Sequence, residues 1–264
     1  MSAGTRGAYV DAAWGQVHLR RAGDAGPWLV LLHESPLSSV VFEQVLPLLA
    51  PHVRALAPDT PGYGASDPPP DDRRELTDYA DVLATALAAA GVERPVLAGV
   101  HTGAALALEL ATRLPTAGVV ISGLSLITEE ERASYLRTWA PEVQVDVDGS
   151  QFGWAVERYR RIWPGAGPEV VHLAALELLR HHDRYRWGYH AAFRHDPRDV
   201  LLRARVPLLL LTPEHDLLAD KDPLVQAVRP DATRVVLPGL AGQPHLRAPG
   251  DYARELLAFV DTLR

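Results

Sequence analysis

The chain of 264 residues contains no cysteine, which excludes a disulfide framework and a thiol nucleophile. It also has no excess of basic residues, because 26 Lys and Arg against 33 Asp and Glu give a net charge of −7, whereas a nucleic-acid-binding protein needs a basic face. No apolar run reaches the ~18 residues of a membrane helix, and the N-terminal stretch from Met1 to Arg6 lacks the apolar core of a signal peptide. We therefore expect a cytoplasmic protein that binds neither nucleic acid nor membrane.

Apolar residues make up 47% of the chain, which is ordinary for a protein with a full core. Strand-like apolar runs alternate with segments of helical spacing. The runs lie at 28–32, 53–57, 95–98, 119–122, 206–211 and 234–237. The helical segments between and after them lie at 42–49, 76–90, 223–228 and 251–263. This alternation predicts an α/β fold with a mostly parallel central sheet flanked by helices on both faces.

Two stretches depart from this alternation. Residues 9–20 alternate apolar and polar side chains around Gly15, which predicts an antiparallel hairpin at the sheet edge. From about 128 to 203 the strand pattern stops, and the segment is helical and holds four of the six tryptophans. We interpret 128–203 as a helical cap (lid) inserted into a core formed by residues 1–127 and 204–264. Thr77 and Asp78 are the candidate caps of the helix at 76–90.

The segment Gly99-Val100-His101-Thr102-Gly103 links a strand to a helical pattern. It has the form glycine, any residue, reactive residue, any residue, glycine. This form is typical of a sharp strand-to-helix turn that lifts one side chain above the end of a parallel sheet. Serine is the usual central residue, so a histidine at position 101 is the feature that any account of function must explain.

The order of loops along the chain resembles that of the α/β-hydrolase superfamily with a helical cap. His33-Glu34-Ser35-Pro36 follows the first buried strand, and the glycine-rich block from Asp59 to Ser66 follows the second. The resemblance covers nearly the whole chain and implies an α/β-hydrolase fold. In this superfamily the nucleophile, acid and histidine follow one another in chain order, and the matching positions are His101, Asp216 and His245. The resemblance implies that Asp216 orients His245 and stabilises its protonated form.

The imidazole of His101, at the position where relatives carry Ser or Asp, leaves four roles open. A neutral ring could attack the substrate as a nucleophile and form an acyl-imidazolium that water destroys. It could work with His245 across the substrate as a general acid/base pair. It could bind a metal with His33, Glu34, His245 or Asp216, although no ligand pair has a diagnostic spacing. Finally, it could line the pocket of a binding protein that has lost catalysis.

Glu34 stands where relatives have glycine, beside the expected oxyanion hole. A carboxylate in that hole would oppose the developing negative charge. Glu34 therefore either points away, acts as a second base, or holds a protonated His101. The backbone N–H of Thr102 should face the pocket at a helix N-terminus. His33 and Ser35 complete the predicted pocket loop, and Ser35 is a candidate for a displaced nucleophile.

Together these features predict an enzyme that acts on a small, largely apolar ester, lactone or other carbonyl compound through His101, His245 and Asp216. Two alternatives stay open: a lyase, decarboxylase or cyclase that uses the same histidines, and an inactive ligand-binding homologue. We predict no cofactor, a small-molecule substrate as the partner, and leave open a homodimer. Aromatic residues of the cap should make the cleft apolar; the candidates are Tyr135, Trp139, Trp154, Tyr159, Trp163 and Trp187.

Overall fold

An eight-stranded sheet organises residues 4–264, the part of the chain that the computed structural model describes. The first three residues of the predicted core lie outside this range. The strands are Arg6–Ala12 (β1), Gly15–Ala22 (β2), Trp28–Leu32 (β3), Arg54–Pro58 (β4), Val96–Val100 (β5), Gly118–Ser122 (β6), Leu208–Pro213 (β7) and Thr233–Leu237 (β8). Their spatial order is β1-β2-β4-β3-β5-β6-β7-β8. In this spatial order, all neighbouring strands from β4 through β3 to β8 are parallel. The strand β2 pairs antiparallel with β1 and β4.

Helices connect these strands and cover the sheet. They are Leu46–Leu49 (α1), Leu76–Ala89 (α2), Thr102–Ala111 (α3), Glu129–Thr138 (α4), Ser150–Ile162 (α5), Pro168–Arg180 (α6), Trp187–Arg194 (α7), Pro197–Arg203 (α8), Asp222–Val228 (α9), Pro244–Arg247 (α10) and Pro249–Asp261 (α11). Five of them, α4 to α8, follow one another between β6 and β7. We refer to residues 128–203, which contain these five helices, as the helical segment.

The central strands are buried on both faces, as their continuous apolar sequence predicts. In β3, Leu29 and Leu31 face one apolar core, and Val30 and Leu32 face a second core on the other side of the sheet. This alternation follows from the two-residue period of a strand. The predicted α/β fold with a mostly parallel sheet and helices on both faces is confirmed, as is the hairpin around Gly15.

Two local predictions differ from the structure. The segment at 42–49, predicted as one helix, is a 3₁₀ turn at Ser39–Phe42 followed by the single turn α1. Pro47 contributes no N–H to a longer helix, which explains the interruption. The helix α2 is capped by Glu75 in a capping box with Asp78, so Thr77 lies inside the helix.

Within residues 4–264, no helix combines the length and apolar character needed to cross a membrane.

Candidate active site

His101 lies at the tight turn between β5 and α3. Its backbone has φ 49° and ψ −110°, a conformation that costs free energy for a residue with a side chain. The flanking glycines allow the turn. A Cβ at Gly99 would lie 2.0 Å from the carbonyl oxygen of Gly103, and a Cβ at Gly103 would lie 2.2 Å from that of Leu32. The structure therefore has the strand-to-helix turn predicted from the glycine spacing, with an imidazole at its crest.

The ring of His101 pairs with Asp216, which follows β7. Nε2 of His101 lies 3.0 Å from Oδ2 and 3.2 Å from Oδ1 of Asp216. The backbone N–H of Leu218 donates to Oδ1 at 2.9 Å, which fixes the carboxylate. Nδ1 of His101 forms no hydrogen bond within the described chain. Asp216 therefore selects the tautomer with its proton on Nε2 and leaves the Nδ1 lone pair available.

Two glycines that we did not predict make room for this pair. A Cβ at Gly123 would lie 2.5 Å from Cδ2 of His101 and 3.0 Å from Oδ1 of Asp216, and a Cβ at Gly242 would lie 2.9 Å from Oδ2. Both glycines also have positive φ, 72° and 81°. The sequence signal for Gly123 is its place directly after β6, the strand next to the turn.

Burial and the carboxylate have opposite effects on the charge of His101. Burial disfavours the imidazolium, but the charge of Asp216, its hydrogen bond and the charge of Glu34 together outweigh that effect and raise the pKa of His101. For Asp216, burial opposes ionisation, and the charge of His101 with the hydrogen bonds from His101 and Leu218 lowers the pKa of the carboxyl. The two shifts agree in describing an ion pair when His101 is protonated.

His245 does not pair with Asp216, so the predicted orientation of His245 by Asp216 is wrong. The imidazole of His245 has no exposed surface and packs beside the rings of Phe42 and Tyr252. Neither ring nitrogen has a hydrogen-bond partner. The physical reason is that the side chain of His101 itself reaches Asp216 from the turn. Burial, with the charges of His101 and His33, lowers the pKa of His245 to about 3, so this ring is neutral.

Glu34 is the group nearest to His245. Its Oε2 lies 3.4 Å from Nε2 of His245, within ion-pair distance but without hydrogen-bond geometry, since both carboxyl oxygens are buried and unpartnered. Burial raises the pKa of Glu34 to about 7, against the opposing charge of His101. Below about pH 7 the pair is neutral, because both groups are fully enclosed and burial raises the pKa of Glu34 and lowers that of His245. Glu34 thus points inward and is not a surface residue.

The other predicted loop residues have structural partners. Nδ1 of His33 donates to the carbonyl oxygen of Glu34 at 3.0 Å, and Nε2 accepts from the N–H of Thr60 at 2.9 Å. His33 is therefore a buried connector between two loops and does not line the cavity, contrary to its predicted place in the pocket. The N–H of Ser35 donates to Oγ1 of Thr102 at 2.6 Å, and Thr102 in turn donates to Oγ of Ser35 at 3.2 Å.

A cavity lies against the ring of His101. Together with the open solvent at its mouth, the empty space there amounts to about 570 Å³. Its floor contains Glu34, Ser35, His101 and Thr102. Its remaining wall is mainly apolar and is formed by Ser125, Tyr135, Trp139, Ile162, Trp163, Tyr189, Phe193, Leu217 and Leu218. His245 is absent from this lining, and its complete burial removes it from a position opposite His101 across a substrate.

Three of the six aromatic residues predicted for the cleft line it, namely Tyr135, Trp139 and Trp163. Tyr189 and Phe193 were missed as cleft residues, although they lie one helical turn apart on α7 and stack with ring centroids 6.0 Å apart. The i, i+4 spacing of aromatic residues was the available signal.

Within residues 4–264, no three His, Asp or Glu side chains are arranged to hold a metal ion.

Residues 24–263 match the model of the Alpha/beta hydrolase family. The chain belongs to this family. A haloalkane dehalogenase of Mesorhizobium japonicum is 35% identical over 111 residues, which cover 42% of this chain and only 36% of that relative. The crystal structure of E-2-(acetamidomethylene)succinate hydrolase superposes with a TM-score of 0.80 at 20% identity over 97% of this chain and 99% of that one. An enol-lactonase from Burkholderia xenovorans superposes with a TM-score of 0.79 at 17% identity, over 96% and 100% of the chains.

Proposed function

We propose that this member of the family is a hydrolase of a small, largely apolar ester, lactone or other carbonyl compound, and that His101 is its principal catalytic residue. One observation carries the proposal. The imidazole at the turn is held by Asp216 through Nε2, while the ring lines an apolar cavity with Nδ1 unpartnered. A histidine with one nitrogen fixed by a carboxylate and the other open to a cavity is the arrangement that general-base catalysis requires.

In this proposal the lone pair of Nδ1 accepts a proton from a water molecule as that water attacks the carbonyl carbon. Asp216 stabilises the resulting imidazolium, which then donates its proton to the leaving oxygen. Direct attack by Nδ1 is the other hydrolytic route and would form an acyl-imidazolium that water hydrolyses. A rapid-quench experiment with mass spectrometry separates the two, since only the second route leaves an acyl group on His101.

The helical segment would act as the cap of this site. Trp139, directly after α4, and Tyr189 on α7 contribute apolar wall to the cavity that His101 lines. Such a wall excludes water and strengthens the interactions of charged groups inside. A haloalkane dehalogenase activity receives less support, because relatives with that reaction carry Asp at the turn and a carboxylate nucleophile is missing at position 101.

The proposal is tested with para-nitrophenyl acetate and a panel of small lactones in oxygen-18 water. We expect the wild type to incorporate one labelled oxygen into the acid product. His101→Ala should abolish the reaction, and His172→Ala, at an exposed position on α6, should leave it unchanged. Equal rates for wild type and His101→Ala would contradict the proposal and favour the binding-protein alternative.

Proton abstraction without hydrolysis is the second candidate, and one observation favours it. The N–H of Ser35 is already used by Oγ1 of Thr102, so fewer backbone donors are free for a tetrahedral oxyanion, whereas a base alone suffices for a lyase or isomerase step. This candidate predicts exchange of an acidic C–H of a small ketone or diketone with deuterium from solvent. It also predicts no label from oxygen-18 water in the product.

A further inference from the structure

We propose that Glu34 is a catalytic hydrogen-bond donor, which in its carboxylic acid form donates a hydrogen bond to the carbonyl oxygen of the substrate while His101 acts as the base. The inference rests on the proposed function for the identity of the base and for the carbonyl substrate. It adds a second catalytic residue at a position where relatives have glycine.

The geometry places an unpaired carboxyl group beside the cavity. Glu34 is 2% exposed, lines the same cavity as His101, and has two carboxyl oxygens without any hydrogen-bond partner in the described chain. A buried polar group without a partner costs roughly 1–3 kcal/mol and more if it is charged. A ligand that accepts a hydrogen bond from Glu34 would recover part of this free energy.

The neutral form of Glu34 is favoured by burial, and the groups that face it act in both directions. Around it are His101 from the turn, Asp216 after β7, Tyr252 of α11 and Tyr159 of α5. His245 lies nearest and is neutral. Burial is the largest effect and raises the pKa of Glu34 to about 7, with Asp216 adding to the rise and His101 opposing it. A carboxylic acid kept neutral by an apolar site can stabilise an oxyanion by donating a hydrogen bond.

Two donors close to Glu34 are occupied. The N–H of Ser35 in the same loop donates to Thr102 at 2.6 Å. The hydroxyl of Thr102 donates to Ser35 at 3.2 Å. The N–H of Thr102 at the start of α3 remains, because the first N–H groups of a helix have no acceptor within it. Glu34 and this N–H together would supply the two donors that a developing oxyanion needs.

The proton balance closes over one turnover. Nδ1 of His101 takes a proton from water, the water oxygen bonds to the carbonyl carbon, and the carbonyl oxygen becomes an oxyanion that accepts a hydrogen bond from the protonated Glu34. Collapse of the tetrahedral adduct re-forms the carbonyl group, breaks the bond to the leaving oxygen, and transfers the proton of the imidazolium to that oxygen, while Glu34 keeps its own proton. His245 touches no reacting atom in this scheme.

The first experiment reads the protonation state of Glu34 without turnover. Infrared difference spectra of wild type minus Glu34→Gln should show the C=O band of a protonated carboxylic acid at pH 6, and that band should fade as the pH rises through about 7. Glu177→Gln is the matched control, since Glu177 is a second buried glutamate with an unpartnered Oε2 but lies outside the cavity lining. Its removal should leave the Glu34 band unchanged. Absence of the Glu34 band at pH 6 would overturn the proposal, because a carboxylate cannot donate.

The second experiment asks whether Glu34 reaches a carbonyl oxygen. Acetophenone is a small apolar ketone that cannot be hydrolysed, and its carbonyl stretch should shift to lower frequency when bound to the wild type. The shift should persist in Glu34→Gln, which keeps an amide donor, and disappear in Glu34→Ala. If the carbonyl stretch of acetophenone bound to the wild type is not shifted, Glu34 is not the donor that we propose. Failure of acetophenone to bind would instead count against the apolar carbonyl substrate of the proposed function.

The third experiment uses para-nitrophenyl acetate or whichever ester the wild type hydrolyses. Glu34→Ala should reduce kcat by about 100-fold, the lower range for loss of an oxyanion donor. Glu34→Gln should retain most of kcat and lose the decline in rate on the alkaline side, because an amide does not ionise. Equal losses in the Gln and Ala variants, or unchanged rates in both, would contradict a donor role even where hydrolysis itself is confirmed.

Discussion

Asp216 holds the ring of His101 at 3.0 Å from Nε2 and leaves His245 with no hydrogen bond at either nitrogen. The acid at the usual position of the superfamily thus serves the histidine at the turn and not the histidine near the end of the chain. In the proposed function, this exchange of partners places the base at the crest of the turn, so that hydrolysis needs no separate nucleophile. It also leaves His245 facing a second carboxyl group, that of Glu34.

The first prediction concerns Asp216→Asn. Asp216 raises the pKa of His101, so its removal should lower that pKa and move the acid-side fall in kcat/KM to lower pH. The base form of His101 would then be present over a wider range of pH. However, the tautomer with its proton on Nε2 would no longer be fixed by the carboxylate. We expect kcat to drop by at least about 100-fold, as when a triad aspartate is neutralised.

The measurement is a pH–rate profile of wild type and Asp216→Asn. Asp220→Asn, at an exposed carboxylate four residues away, is the control and should leave the profile unchanged. If kcat/KM of Asp216→Asn falls on the acid side at the same pH as that of the wild type, His101 is not the titrating base.

The second prediction concerns Gly123→Ala. The new Cβ would lie 2.5 Å from Cδ2 of His101 at a residue with φ 72°, so the ring must move away from Asp216. We expect a loss of kcat by about 10-fold or more with the secondary structure retained, since misplacement by about 1 Å can cost 100-fold. Circular dichroism and initial rates check this. Gly153→Ala, where no atom lies within 4 Å of the new Cβ, should leave both unchanged.

Local sequence patterns were sufficient to predict the sheet and the turn. Continuous apolar runs such as β3 predicted strands buried on both faces, and the glycines at 99 and 103 predicted the close approach of strand and helix that the structure shows. These features depend on residues near one another in the chain. The split of the 42–49 segment depends on Pro47, which a helical spacing of apolar residues does not take into account.

The partnership within the site could not be predicted in the same way. Which histidine reaches Asp216 depends on the rotamer of His101 and on the space left by Gly123 and Gly242, which lie far apart in sequence. The burial of His245 likewise depends on Tyr252 of α11 and on Phe42. Chain order predicted the candidate residues, but tertiary packing determined which of them pair.

The third prediction concerns His101→Ser. A serine at this turn needs a base, and the neutral His245 faces Glu34 at 3.4 Å instead of Asp216. We therefore expect His101→Ser to hydrolyse para-nitrophenyl acetate no faster than His101→Ala. Adding Glu34→Gly should open the oxyanion space and free His245, so the double variant should exceed the single one. A single serine variant as fast as the double would contradict this expectation, because it would show that Glu34 does not keep His245 from serving the serine.

The fourth prediction concerns the dependence of stability on pH. The pKa of Glu34 is raised from 4.5 to about 7 in the folded protein, so the folded state binds the proton more tightly than the unfolded state does. The stability that this proton provides is fully present below about pH 4.5 and is lost as the pH rises through about 7. At 1.36 kcal/mol per pKa unit, the loss is about 3 kcal/mol.

Glu34→Gln removes this dependence because an amide does not titrate. The free energy of unfolding of Glu34→Gln, relative to that of wild type, should therefore rise by about 3 kcal/mol between pH 4 and pH 8. Urea unfolding at the two pH values measures the difference. Glu93→Gln, at an exposed glutamate, serves as the control and should show the wild-type dependence. If the stability difference between wild type and Glu34→Gln is the same at both pH values, Glu34 is equally acidic in the folded and unfolded chains and cannot be the neutral donor that we propose.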